Sequence, residues 1–177
     1  TADLATKGSD QFVVGYWNGF RLEYIFTEAK STGKGIIDKI GELCARFQVP
    51  ASNVVYDADG LGQGLSGFTR YYEFHNGAKA KNGENYFNLK SQCYYKLADK
   101  VNEGQLYISQ EDHRDEIVEE LEQVKRDKMD EDGKLRLIPK KDIKERIGRS
   151  PDFTDMMAMR MYFDLSGGVK AFNPDFF

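Results

Sequence analysis

The sequence predicts an α/β fold in which helices flank a mixed central β-sheet of about five strands. Residues 1–26 are rich in aromatic and β-branched side chains and contain Asn18-Gly19, a dipeptide typical of hairpin turns. Apolar residues then recur three and four positions apart over 36–47, which is the period of an α-helix. A strand pattern at 54–57 follows this helix, so we expect it to run parallel to the first strand.

The first half of the chain supplies most of the predicted sheet. Strands at 1–5, 12–17 and 22–26 are expected to form a β-meander, because only short turns separate them. A glycine-rich turn after the strand at 54–57 predicts a short helix near 62–69 and then a strand at 71–74. The polar stretch 75–84 contains two Asn-Gly turns and is expected to be an exposed loop.

The second half is predicted to be mainly helical. Amphipathic patterns indicate helices at 89–101 and 111–126, with a short extended piece at 106–108 between them. Alternation at 135–139 indicates an edge strand or one arm of an extra hairpin. A last helix is expected to begin at Ser150-Pro151-Asp152, with the serine as its N-cap.

Composition limits the classes to which the chain can belong. Its 177 residues suit one domain, predicted to span 1–177, and its apolar fraction of 40% is that of a folded protein. No stretch approaches the roughly 20 apolar residues that a membrane span needs, so no membrane role is expected.

Charge is unevenly distributed along the chain. The net charge of −4 opposes nucleic-acid binding at first sight. Near the end, however, a basic strip is opposed by Asp142 and Glu145 and could guide a DNA backbone or simply be a solvated surface. The basic strip consists of Lys134, Arg136, Lys140, Lys141, Lys144, Arg146 and Arg149.

Three aspartates from distant parts of the sequence are candidates for one site. Asp3 lies near the tip of the first strand, Asp57 ends its predicted parallel neighbour, and Asp155 lies on the last helix. Carboxylates that meet in a fold repel one another unless a cation lies between them. Mg²⁺ and Mn²⁺ prefer such oxygen ligands, and two ions about 4 Å apart can hydrolyse a phosphodiester. We therefore predict one divalent-metal site that cuts nucleic acid.

Three further aspartates are weaker candidates. Asp152 lies one turn before Asp155 and is a possible further ligand, although acids in a first turn also stabilise a helix. Asp10 and Asp59 lie in turns, where aspartate is common for local reasons. For all three, a purely structural role stays open.

Four short segments occur in one order along nearly the whole chain. They are Ala2-Asp3-Leu4-Ala5 with Gly8-Ser9-Asp10, then residues 55–64, then Lys141-Asp142, and then residues 149–158. Together these segments resemble the C-terminal nuclease domain of the large terminase subunit of tailed bacteriophages. One departure is the first strand, since only Thr1 and Ala2 precede Asp3, whereas the family has several residues there.

The resemblance implies an RNase H-like fold and a metal-dependent endonuclease that cuts concatemeric double-stranded viral DNA. By motif, the family's three metal-binding acids fall on Asp3, Asp57 and Asp155, and Asp152 matches a further ligand or helper. Lys141 matches a basic residue that is expected to help place a phosphate. The implied cofactors are two Mg²⁺ or Mn²⁺ ions.

The implied partners are DNA, an ATPase domain in the same polypeptide, a portal and a small terminase subunit. The implied location is the cytoplasm of the host cell. The ATPase domain is not among the 177 residues. Two rival interpretations stay open: a RuvC-like nuclease that resolves DNA junctions, and a non-catalytic docking module of a packaging assembly.

Overall fold

A computed structural model describes residues 1–5, 10–29, 31–60, 65, 67–127 and 133–167. Its strands are β1 Ala2–Asp3, β2 Phe12–Asn18, β3 Arg21–Glu28, β4 Val55–Asp57, β5 Tyr72–Phe74 and β6 Tyr107–Ile108. They form one sheet in the order β5-β4-β1-β2-β3-β6. The two central strands of the sheet are therefore β1 and β2.

The sheet is mixed, as the sequence predicts. The strand β1 pairs antiparallel with β2 and parallel with β4, and β2 pairs antiparallel with β3. The predicted meander and its parallel neighbour are therefore confirmed. The short strand β6 runs parallel to β3, and this pairing adds a sixth strand to the five expected.

Helices cover both faces of the sheet. Among the described residues they are α1 Gly33–Arg46, α2 Leu89–Asn102, α3 Arg114–Gln123, α4 Lys140–Ile147, α5 Asp152–Ala158 and α6 Met161–Leu165. The helix α1 packs on one face, which we call the α1 face, where Ile36 and Ile40 join Phe12 and Val14 in an apolar cluster. Helices α2, α3, α5 and α6 pack on the opposite face, which we call the α5 face. None of the described helices is long and apolar enough to cross a membrane.

A glycine in β2 allows α5 to lie close to the sheet. A β-carbon added at Gly15 would lie 2.3 Å from the sulfur of Met156, so a larger residue would force that side chain to move. Met156 is fully buried, and it lies next to Asp155 in the sequence. The lack of a side chain at Gly15 therefore leaves room for Met156, the neighbour of Asp155 on α5.

Several predicted boundaries are wrong. The first hairpin turns at Gly19-Phe20 instead of Asn18-Gly19, because Asn18 still pairs with Arg21. The N-cap of α5 is Pro151, not Ser150, and its side chain makes no capping hydrogen bond. The last helix is also divided, since α5 ends at Ala158 and α6 begins at Met161.

Other predictions concern segments that are only partly described. The predicted helix at 62–69 falls mostly outside the described residues, and the tail at 169–177 falls wholly outside them. The extra hairpin has a paired base, where Arg126 bridges antiparallel to Leu137. The residues just after this base form α4, which the sequence analysis does not predict.

Candidate active site

Two of the predicted acids lie at the ends of adjacent parallel strands. Ala2 of β1 is paired with Tyr56 of β4, so Asp3 and Asp57 each follow a paired residue. Ala2 and Tyr56 belong to the apolar cluster of the α1 face. Because side chains alternate along a strand, Asp3 and Asp57 project to the α5 face. The fold thus places both carboxylates at one end and on one side of the sheet.

The third acid reaches this end of the sheet from a helix. Asp155 lies on α5 and is only 6% exposed. Its carboxylate accepts a hydrogen bond of 2.5 Å from the hydroxyl of Tyr94. It also forms ion pairs with the ammonium groups of Lys90, at 2.5 Å, and Lys140, at 2.7 Å. Two positive charges therefore compensate this buried carboxylate.

The electrostatics of the acids show that they share one environment. Burial raises the pKa of Asp3 well above its ordinary range; the charges of Asp155, Asp152 and Asp57 raise it further, and the charge of Lys140 opposes the shift. Burial also favours a raised pKa for Asp155, but the charges of Lys90 and Lys140 outweigh it and hold that pKa well below its usual range. The two lysines therefore favour the ionised form of Asp155, whereas burial and the neighbouring carboxylates favour the protonated form of Asp3.

Asp152 lies in the same environment as Asp155. Its carboxylate accepts a 2.8 Å hydrogen bond from the backbone N–H of Gln11 and lies 3.8 Å from the ammonium of Lys140. Burial raises the pKa of Asp152, although the Gln11 hydrogen bond and the Lys140 charge oppose that shift. Asp152 is thus buried near the other acids of the site, although it is the first residue of a helix.

A network of hydrogen bonds holds Asp57 and Asp59. The side-chain amide of Asn76 donates to both oxygens of Asp57, at 3.1 and 3.2 Å, and to Asp59 at 2.9 Å. The backbone N–H of Asn76 also donates to Asp59 at 2.9 Å. His75 completes the network with a 3.2 Å contact to Asp59. Asn76 therefore fixes the direction of the Asp57 carboxylate.

Asp10 lies at the edge of the cluster. Its side chain is half-buried and accepts a 2.7 Å hydrogen bond from the ammonium of Lys144. Burial tends to raise its pKa, but the Lys144 hydrogen bond and the charges of Lys140 and Lys144 lower it overall. A lysine of α4 therefore already balances the charge of Asp10.

The residues of the basic strip differ in their exposure and in their ion-pair partners. Lys140 and Lys144 pair with Asp155 and Asp10, and Arg149 lies 2.8 Å from Glu119. Arg146 and Lys134 are exposed. Each of these residues stays a predicted DNA contact, but Lys140, Lys144 and Arg149 are also ion-pair partners of residues outside α4.

The lysine that meets the acids is one position before the lysine that the motif indicates. The side chain of Lys141 is 83% exposed and lies 3.6 Å from Glu145 on its own helix. Its neighbour Lys140 instead contacts Asp155. The rotation of α4 decides which of the two faces the acids, and motif spacing does not define that rotation.

The donor set suits a divalent cation in its chemistry. Burial raises the pKa values of Asp3 and Asp57 because it disfavours their ionised forms, and a Mg²⁺ or Mn²⁺ ion would stabilise those ionised forms as oxygen ligands. As the side chains stand, however, no three His, Cys, Asp or Glu residues of the described chain are arranged to hold a metal ion. Lys90 and Lys140 lie directly on the oxygens of Asp155, so metal ligation there requires these ammonium groups to move.

The sequence analysis does not identify three of the polar residues in this cluster. Lys90 and Tyr94 are four positions apart on α2 and lie on the same side of that helix. A lysine and a tyrosine beside an apolar helical stripe are a weak signal of a buried partner. Asn76 lies in the stretch that we expected to be an exposed loop, and that expectation is wrong at this residue.

Comparison with known proteins identifies the fold. No protein-family model matches the chain, and no curated protein matches it significantly in sequence. Among solved structures, the nuclease domain of the large terminase subunit gp2 of bacterial virus Sf6 matches with a TM-score of 0.70 and 21% identity. That match covers 90% of this chain and 85% of the viral domain.

Two further structures agree with this match. A mutant of the Sf6 domain solved with manganese has a TM-score of 0.72 and 19% identity, with coverage of 90% of this chain and 85% of that one. The large terminase nuclease from thermophilic phage G20c has a TM-score of 0.61 and 15% identity, covering 91% and 78% respectively. The chain therefore has the RNase H-like fold of phage terminase nuclease domains, and the fold expected from the sequence resemblance is confirmed.

Proposed function

We propose that the domain is a metal-dependent endonuclease that cuts double-stranded, concatemeric viral DNA during genome packaging. The main support is geometric: Asp3, Asp57 and Asp155 come from distant segments and meet at one end of one sheet face. Such a meeting of buried acids is costly unless a cation or another positive group compensates it. The likeness to terminase nuclease domains supports this choice among the chemistries that the fold can host.

The proposed ligands are Asp3, Asp57 and Asp155, with Asp152 as a further ligand or helper. Structures of the similar Sf6 domain contain manganese or calcium, which supports a divalent cofactor here, proposed as two Mg²⁺ or Mn²⁺ ions. The chemistry that such ions supply is activation of a water and stabilisation of the departing oxygen of a phosphodiester. Asp10 and Asp59 lie further out, each in its own local hydrogen bonds.

Residues of the chain itself prepare the acids for this role. Asn76 orients Asp57, and the backbone N–H of Gln11 holds Asp152. Lys90 and Lys140 keep Asp155 ionised, because their charges lower the pKa of its carboxyl. Near a bound strand, the same ammonium groups would also attract its phosphates.

DNA binding is proposed to be largely independent of sequence. Lysine and arginine contacts to phosphates position a duplex without distinguishing its bases, and salt weakens them. Residues Lys134, Lys141 and Arg146 are exposed and are the proposed outer contacts. In the packaging setting, we propose an ATPase domain in the same polypeptide, a portal and a small terminase subunit as partners, in the host cytoplasm.

Nicking of supercoiled plasmid tests the proposal. The wild-type chain should nick plasmid in Mn²⁺ or Mg²⁺, whereas Asp57→Asn should not, and chelator should stop the reaction. Asp38→Asn is a matched control, because Asp38 is an exposed aspartate on α1. Full activity in Asp57→Asn, or activity that persists in chelator, would rule out the mechanism.

Two further measurements, the choice of DNA substrate and the binding of partner proteins, separate the rival functions. A strong preference for four-way junctions over linear duplex would instead support a junction-resolving nuclease. Metal-independent binding of a partner protein, with no nicking under any condition, would support a docking module. Fold likeness does not distinguish these alternatives, because one fold can host several activities.

A further inference from the structure

A cleft opens beside the acids, between the start of α2, α4 and the paired base of the hairpin. Its volume is about 260 Å³. Phe87 and Arg136 lie at one end of its lining. Lys90, Tyr94 and Lys140 line it as well, and these three residues contact Asp155. The cleft therefore borders the proposed active site through these three residues.

An exposed aromatic ring forms part of the cleft. Phe87 is 47% exposed, although it immediately precedes the N-cap of a buried helix. The guanidinium of Arg136 lies 3.8 Å from the centre of its ring, so the two planar groups form one stacked unit. An exposed ring that is already stacked on a cation is a suitable platform for another flat, electron-rich ring.

The backbone around this stacked unit is held on both sides. The N–H of Phe87 donates to the carbonyl of Leu135 at 3.0 Å. The carbonyl of Arg136 accepts from the N–H of Asp127 at 3.0 Å and from the hydroxyl of Tyr95 at 3.2 Å. The platform is thus preorganised, which reduces the conformational entropy lost when a ligand stacks on it.

The charge of the cleft favours an anionic ligand. Among the described residues that line it, three are basic, Lys90, Arg136 and Lys140, and they outnumber Asp127 and the Asp155 carboxylate that both lysines contact. A volume of about 260 Å³ is just below the usual range for sites that hold small molecules, and it is far too small for a duplex. The size and charge together suit a single nucleotide unit.

We propose that this cleft binds an unpaired nucleotide of the DNA strand next to the cut, with its base on Phe87 and its phosphate towards the lysines. The proposal rests on the proposed nuclease function and names a substrate subsite for it. The nucleotide must be unpaired, because a base within a duplex already has neighbours on both faces. The domain would therefore bind frayed or locally opened DNA more tightly than intact duplex.

Binding can be measured without cleavage by fluorescence anisotropy in chelator. The probes are a labelled oligothymidylate of about 8 nucleotides and an abasic sugar-phosphate strand of the same length. We expect Phe87→Ala to weaken binding of the oligothymidylate about 10-fold, as is typical for loss of one base–aromatic stack. Its binding of the abasic strand should be unchanged, because that strand has no base to stack.

Three further variants make the test specific. Tyr107→Ala is the matched control, since Tyr107 is 52% exposed and also lies beside an arginine, with Arg21 at 5.1 Å, but at the β6 edge of the sheet. It should bind both strands as the wild type does. Phe87→Tyr retains the ring and should keep wild-type affinity, whereas Phe87→Leu retains only apolar bulk and should behave as Phe87→Ala.

An unchanged affinity of Phe87→Ala for the oligothymidylate would overturn the proposal, and so would an equal loss on the abasic strand. If Phe87→Ala fails to fold, as judged by circular dichroism, the comparison of Phe87→Tyr with Phe87→Leu decides in its place. The outcome is independent of the nicking assay, because no metal is present. A chain that stacks bases but does not cut would contradict only the nuclease proposal.

Discussion

The two faces of the sheet differ in what they bury. On the α1 face, the buried cluster is apolar throughout, with Ile36, Ile40 and Leu43 packed on the strands. On the α5 face, buried acids, a glutamine and an arginine are mixed with methionines and aromatics. The α1 face is thus a packing surface, whereas the α5 face also holds the groups that could do chemistry.

Several of the polar groups that are buried on the α5 side are hydrogen-bonded to the backbone of neighbouring elements. Gln92 accepts from the N–H of Lys81 at 2.8 Å and donates to its carbonyl at 3.1 Å. Glu120 accepts a 2.8 Å hydrogen bond from the N–H of Thr154, in the helix that contains Asp155. Buried polar groups are tolerated when they are paired in this way. The comparison shows that α5, the helix that contains Asp155, is held by polar contacts as well as by packing.

The largest effect is expected where the α5 face loses a proposed ligand. Asp155→Asn should reduce plasmid nicking by about 1000-fold or more, because a bound divalent cation stabilises the transition state by several kcal/mol. Ligand loss should also weaken Mn²⁺ binding, which calorimetry can measure. Nicking within about 10-fold of wild type would mean that the two faces do not differ in chemical role.

The next effect concerns the α1 face and should appear in stability alone. Ile40 is 3% exposed, and Ile40→Ala should lower the free energy of unfolding by about 2–4 kcal/mol through lost burial and a cavity. Urea titration measures the loss. Nicking per folded molecule should stay at the wild-type level. A selective loss of activity in the folded variant would show that this face also shapes the site.

A smaller effect is expected from removing the residue that orients Asp57. Asn76→Ala should lower activity about 10-fold, as is common when a residue that supports a metal ligand is removed. The loss should be a raised Mn²⁺ requirement, with much of the rate recovered at saturating metal. A variant that nicks poorly at every metal concentration would instead indicate a general disturbance of the site.

The smallest effect is a pH dependence of stability that arises from Glu120, a residue of α3 that contacts α5. Burial raises the pKa of Glu120 to about 8, despite its hydrogen bond from Thr154 and the charge of Arg149. Because the folded state holds this proton more tightly than the unfolded state, stability is highest below the unfolded pKa and falls as the pH rises towards 8. Between about pH 6 and pH 7, wild type should lose about 1 kcal/mol relative to Glu120→Gln. Parallel stability profiles of the two proteins would contradict this linkage.

Local patterns predicted much of the α1 face. The apolar period over 36–47 corresponds to α1, which begins after Thr32, whose side chain accepts from the N–H of Gly35 at 3.1 Å. The strand signals likewise correspond to β2, β3 and β4. These elements are predictable because neighbouring residues in the sequence determine period and turn geometry.

The sequence by itself determined the mixed sheet, its crossover helix and the placement of Asp3 and Asp57 at the ends of parallel strands. Only the tertiary structure decided that Lys140 rather than Lys141 meets Asp155, and that Lys90, Tyr94 and Asn76 join the cluster. The physical reason is that strand register follows from local alternation, whereas these contacts depend on how separate helices and loops are rotated and packed. Burial then converts those contacts into shifted pKa values, which no local pattern contains.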